Sequence, residues 1–220
     1  MNSFCLFIIK ILLIIKHTVM VKPTREQFND FKLAVLKYAT DLYLNTNKPI
    51  EERELHPTLF LMTPKGYRKM IPLPTKGFDH EHGKDIIADL MLEMIREARS
   101  GLICFASEGW SLSEEGLEKL KDSGATMEEI SRIRPSTHED KIELLNLFFE
   151  SYEGNSSLMS FVIERNSETV KLIPKKEYTI DEYDNKDAEL KGRFSNLIYR
   201  AYNEDVCDGC RKDLNSEDHD

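Results

Sequence analysis

The sequence predicts an α+β domain: a two-layer sandwich in which an antiparallel sheet of about six strands is flanked by helices. Three observations carry this. Apolar residues recur at helical spacing from Phe28 to Leu42 and from Ile86 to Ala98. Short apolar runs follow one another with turn residues between them, as hairpins require. One polar stretch, 111–135, breaks the run of core elements. The predicted order is helix, strand, strand, helix, strand, insertion, strand, strand, strand, helix. Short connections imply antiparallel pairing, and amphipathic helices bury their stripes on the faces of a sheet. Profilin-like and roadblock-like sandwiches share this order, an analogy of topology that carries no function.

The first helix is read over about 24–45. Thr24-Arg25-Glu26-Gln27 fits a capping box, and Phe28, Phe31, Val35, Tyr38, Ala39 and Leu42 form the stripe. Asn45 to Pro49 ends it. Thr58–Met62 and Tyr67–Pro72 are the arms of a hairpin around Thr63-Pro64-Lys65-Gly66, with proline second and glycine fourth in the turn. Gly77–Gly83 reads as a polar loop. The second helix then carries Ile86, Ile87, Leu90, Met91, Met94, Ile95 and Ala98, and Ser100-Gly101 stops it.

Residues 102–110 are a central strand that ends in Ser107-Glu108-Gly109-Trp110. The insertion carries two short helical patterns, the second with a capping box at Thr126 and Glu129. Lys141–Tyr152 is apolar on both faces, with Ile142 and Leu144 out of phase with Leu145, Leu147 and Phe149. This phase slip predicts a bulge. Leu158–Ile163 and Val170–Ile173 are further strands. Leu190, Phe194, Leu197, Ile198 and Ala201 define a last helix, so a single domain spans 20–203 and an acidic polar tail follows at 204–220.

Composition limits the function. With 40% apolar and 31% charged residues the chain builds a real core under a charged surface. A formal net charge of −9 argues against a general nucleic-acid binder, which needs a basic face. Cys5, Cys104, Cys207 and Cys210 are too few and too scattered for a disulfide framework, so a reducing, cytoplasmic setting is expected. Residues 1–19 stand apart. Phe4 to Ile15 is apolar except for Lys10, too short for a confident membrane span. It reads as translated upstream sequence with a working start at Met20, as a weak membrane anchor through 4–15, or as a degenerate signal peptide.

The Ser107-Glu108-Gly109-Trp110 strand end, Arg134-Pro135-Ser136, Asp140-Lys141 and Phe149-Glu150-Ser151 together resemble a group of uncharacterised bacterial and phage α+β proteins. The resemblance covers about residues 55–175. It implies fold kinship and an accessory role, and it brings no activity with it.

Candidate chemistry is sparse. Glu108 and Trp110 are the binding candidates: in an alternating strand they point the same way, and an indole suits a pocket wall or an interface anchor. The bland alternative is that Glu108 pairs with an arginine and Trp110 caps the core. His80-Glu81-His82 is the most metal-like cluster, since two imidazoles one residue apart can reach one zinc ion. Against the zinc isopeptidase pattern H-x-H-x7-S-x2-D, counted from His82, Leu90 stands in place of the serine. Cys207-Asp208-Gly209-Cys210 has half a zinc site's spacing and no second pair. No nucleophile elbow, phosphate loop or dinucleotide fingerprint appears. The expectation is a non-enzymatic accessory protein that binds another macromolecule, most simply a protein, without a cofactor. A homodimer is compatible with this. The alternatives are a metal-dependent hydrolase on His80 and His82, and a membrane-tethered sensor.

Overall fold

The computed structural model describes residues 23–63, 65–66, 68–152, 154–180 and 193–203. The apolar segment 1–19, Cys207 and Cys210 lie outside the described residues. The chain folds as an α+β sandwich around a six-stranded sheet. Its elements in order are α1 (Arg25–Leu44), β1 (Thr58–Met62), β2 (Arg68–Pro72), α2 (Glu81–Ala98), β3 (Leu102–Leu112), α3 (Glu114–Asp122), α4 (Met127–Arg132), β4 (Lys141–Ser151), β5 (Ser156–Arg165), β6 (Val170–Ile180) and α5 (Leu197–Asn203). The strand order is β2-β1-β3-β4-β5-β6, and every neighbouring pair is antiparallel.

The sheet is shared by two helix-on-sheet packings. Period-two alternation assigns the faces. On one face α1 lays Phe28, Phe31, Val35 and Ala39 against Leu102, Cys104, Leu145, Leu147 and Phe149. On the other, Ile87, Met91 and Ile95 of α2 and Leu197, Ile198 and Ala201 of α5 cover Leu59, Leu61, Ile103 and Phe105. Cys104 is a buried core residue, as its place in the strand predicts. The Thr24 capping box forms: the Gln27 amide donates to Thr24 Oγ1 at 3.2 Å, and the Thr24 amide donates to Gln27 Oε1 at 2.8 Å.

The predicted bulge in the fourth strand is absent. The β3–β4 register runs unbroken from Leu102 opposite Ser151 to Leu112 opposite Lys141. β4 is a central strand: Leu145, Leu147 and Phe149 are buried on the α1 face, and Ile142, Leu144 and Phe148 take the opposite face, wholly or partly buried, without any slip. The register shift falls between Ser160 and Phe161, where β5 pairs with β6.

The second helix starts and stops differently from expectation. The stretch read as a loop becomes a short 3-10 turn, Thr75–Asp79, and α2 begins at Glu81 with His80 as N-cap. At the other end Arg99, not Gly101, takes the left-handed position with φ 50°. The last helix begins at Leu197. Phe194 lies ahead of it, its ring 4.9 Å from Phe105, and Leu190 lies outside the described residues.

The insertion is helical, as its patterning predicts, and closes on itself at the neck. The Ser113 amide donates to the Asp140 carbonyl at 2.9 Å, and Lys119 pairs with Asp140 at 3.0 Å. Gly116 makes this approach possible, since a Cβ there would lie 2.6 Å from Asp140 Cβ.

Candidate functional site

The site lies where β3 leaves the α1 face. Glu108 and Trp110 are two residues apart and share that face, in phase with Cys104 and Ala106. Register places Glu143 of β4 opposite Trp110. The C-terminal end of α1 brings Tyr43, the end of β5 brings Arg165, and the segment after α1 brings the Leu55 amide.

These groups form one closed network. Tyr43 donates its hydroxyl hydrogen to Glu108 Oε1, which also accepts from the Leu55 amide at 2.6 Å. Arg165 takes Glu143 in a two-point grip, Nε to Oε2 at 3.1 Å and Nη2 to Oε1 at 3.3 Å. The same Nη2 lies 3.4 Å from Glu108 Oε2. Nη1 donates to the Arg53 carbonyl at 2.5 Å, and the guanidinium carbon sits 5.5 Å from the centre of the Tyr43 ring. Two carboxyl groups thus share one cation.

Burial pushes the Glu108 carboxyl above its ordinary value, and the hydrogen-bonded Glu143 adds to this. The Tyr43 hydroxyl, the Leu55 amide and Arg165 pull the other way. Burial also raises the Tyr43 phenol, with Glu108 as the second cause. The donors of the network are already directed inward, onto Glu108 and Glu143.

Trp110 stands outside it. The indole is 47% exposed, and Lys141 Nζ lies 4.7 Å from the ring centre. The same Nζ donates to the Ser136 carbonyl at 2.8 Å. Beside the ring is an open cleft of about 540 Å³, lined by Trp110, Lys141, Glu143, Arg165, Asn166 and Lys171. Arg165 therefore belongs to the closed network and to the cleft at once. Of the two predicted binding residues, Glu108 is internal and paired with an arginine, and Trp110 is displayed.

The histidines are placed apart from this site. His80 Nδ1 accepts the Gly83 amide at 2.9 Å as the cap of α2, and His82 is exposed in its first turn. Among the described residues no group of three or more His, Cys, Asp or Glu side chains gathers to hold a metal.

A second buried carboxyl belongs to the other face. Glu150 is 5% exposed, and its Oε2 accepts the Ile198 amide at 3.1 Å, at the start of α5. Burial pushes this carboxyl up to about 7, with the Ile198, Asn196 and Leu197 amides opposing.

Tyr43, Glu143 and Arg165 escaped the sequence reading. Tyr43 had a signal: Phe31, Val35 and Ala39 continue at steps of four to it, and it is fully buried while Tyr38 is not. Glu143 had a weaker one, as an acid inside an apolar strand. Arg165 had none, since it meets Glu108 across 57 residues of sequence. No family model, curated protein or solved structure matches the chain.

Proposed function

We propose that this chain is a non-enzymatic accessory protein of bacterial or phage type, working in a reducing, cytoplasmic setting, and that it binds another protein through the end of the sheet where Trp110 is displayed. The observation that carries this is the presentation of the indole. A large aromatic side chain with a sheet core available to it is held at the surface, under Lys141, which the Ser136 carbonyl fixes in turn. Interface anchors are of this kind: rigid aromatic groups that lose little freedom on binding. The insertion extends the same end of the sheet, from Leu112 to Lys141, and exposes Met127 at 69%. The acidic balance favours a protein partner over nucleic acid. The histidine pair adds no second reading, because His80 uses Nδ1 to cap a helix.

The test is capture with the fold held constant. A photo-crosslinking residue at position 110 should form a discrete adduct in cells. Replacing 114–133 by a short glycine-serine link, or making Trp110→Ala, should abolish capture; Trp110→Ala should leave the far-ultraviolet circular dichroism unchanged, and the replacement should remove only the helical signal of α3 and α4. Undiminished capture by both folded variants would end this reading.

A further inference from the structure

The cleft beside Trp110 is defined by what its walls can donate. Arg165 has its donors committed elsewhere. Its five N–H groups are met by Glu143 at Nε and Nη2, by Glu108 at Nη2, and by the Arg53 and Ile50 carbonyls at Nη1. Glu143 spends both of its oxygens on the same guanidinium. Asn166 turns Oδ1 into its own turn, where it accepts the Glu168 amide at 2.9 Å and the Thr169 amide at 2.8 Å. The end of the side chain that Asn166 can offer to the cleft is therefore its NH2 group.

Two lysines complete the lining. Lys141 is held in place, with Nζ donating to the Ser136 carbonyl at 2.8 Å and lying 4.7 Å from the centre of the indole. An ammonium carries three hydrogens, so this one bond does not exhaust it. Lys171 is exposed on β6, with Glu164 opposite it in register. An exposed cross-strand pair of this kind contributes little and is readily exchanged for another carboxylate. Three cations thus face two carboxylates in this cleft, one of the acids being locked to Arg165, on a chain whose net charge is −9.

Donors beside an aromatic ring suit an acceptor that has an apolar neighbour. The acceptor bears a single charge, because the acidic balance of the whole chain repels a long run of negative charge. We propose that the partner presents an aspartate or glutamate side chain next to an apolar residue: the apolar group seats on the Trp110 ring, and Lys141 receives the carboxylate, with Lys171 and the Asn166 amide on the far wall. This inference rests on the reading that Trp110 anchors a protein partner, and it names what that partner carries. Lys141 is the centre of the site because its position is set before binding, so little freedom is lost when the carboxylate arrives.

Trp110 is the only tryptophan in the chain, so its emission reads the site directly. The probes are acetyl-Gly-Leu-Asp-Leu-Gly-amide and its asparagine counterpart, titrated into the full chain. The expected result is a saturable shift in emission, with the aspartate peptide binding about tenfold more tightly. Lys141→Gln should remove that preference, Lys171→Gln should reduce it about twofold, and Lys141→Arg should keep it. Equal affinity for the two peptides, or no saturation with either, overturns the proposal. So does a preference that survives Lys141→Gln. Binding that appears only after the Asp and Glu residues of 204–220 are changed to their amides assigns the carboxylate to the chain's own tail and likewise overturns it. In cells, a photo-crosslinking residue at position 110 separates this inference from the reading beneath it. An adduct that forms equally well after Lys141→Gln overturns the acidic contact and leaves the interface standing, and no adduct in either chain removes both.

Discussion

Arg165 carries more of the candidate site than either residue that sequence reading singled out. It grips Glu143 at two points, reaches Glu108, and ties the segment after α1 through the Arg53 carbonyl. Removing one partner from a largely buried ion cluster leaves charge uncompensated, which costs more than the cluster contributes when whole. Arg165→Met should therefore destabilise the fold by about 2–4 kcal/mol, discounted for the partial exposure of the site. The loss should be larger at pH 8 than at pH 5, because a Glu108 carboxyl already raised by burial can take up a proton at the lower pH. Urea titrations at both values check this, and a midpoint unmoved at pH 8 would show that the cluster is dispensable. Glu108 itself was legible as an acid in phase with Trp110 on an otherwise apolar strand. Its partner was not, because spacing along a chain carries no information about which strand ends meet.

Among the elements, both capping boxes could be read because Thr24–Gln27 and Thr126–Glu129 bring their partners within three residues. The start of α2 could not, since histidine ranks low as a cap although its imidazole nitrogen accepts an amide as a serine oxygen does. α5 shows how a short helix is held without a local signal: its leading amide is met by Glu150 from β4, 48 residues away. Because burial raises this carboxyl from 4.5 to about 7, the folded state binds the proton more tightly than the unfolded chain. Its contribution is fully present below about 4.5 and is lost as pH rises through about 7. Glu150→Gln should flatten the stability profile across that window and make the variant the more stable of the two at pH 8, by up to about 3 kcal/mol. Thermal melts at pH 4.5, 6 and 8 decide it. A variant with the parent's slope would place the pH dependence elsewhere.

For the whole molecule, one sheet serving two cores makes a prediction about cooperativity. Phe149 faces α1 and Met91 lies on the opposite side, both with no solvent exposure. Phe149→Ala and Met91→Ala should each cost about 2–5 kcal/mol through the cavity left behind. Neither should split the transition, because no strand can leave one core without leaving the other. Circular dichroism and labelling of the buried Cys104 thiol should then shift together in urea. Two separate transitions would show that each helix layer folds alone.

The sequence by itself determined the order of the elements, the hairpin pairings, the helical nature of the insertion and the shared face of Glu108 and Trp110. All of these rest on periodicity and capping, which act within a few residues. Only the tertiary structure decided that β4 keeps an unbroken register with apolar residues on both of its faces, that the irregularity belongs to the β5–β6 edge, that Glu108 is internal while Trp110 is displayed, and that Arg165 and Glu150 have work at a distance. Those outcomes depend on strand register and on which helix lies over which half of the sheet, and both follow from packing the chain against itself.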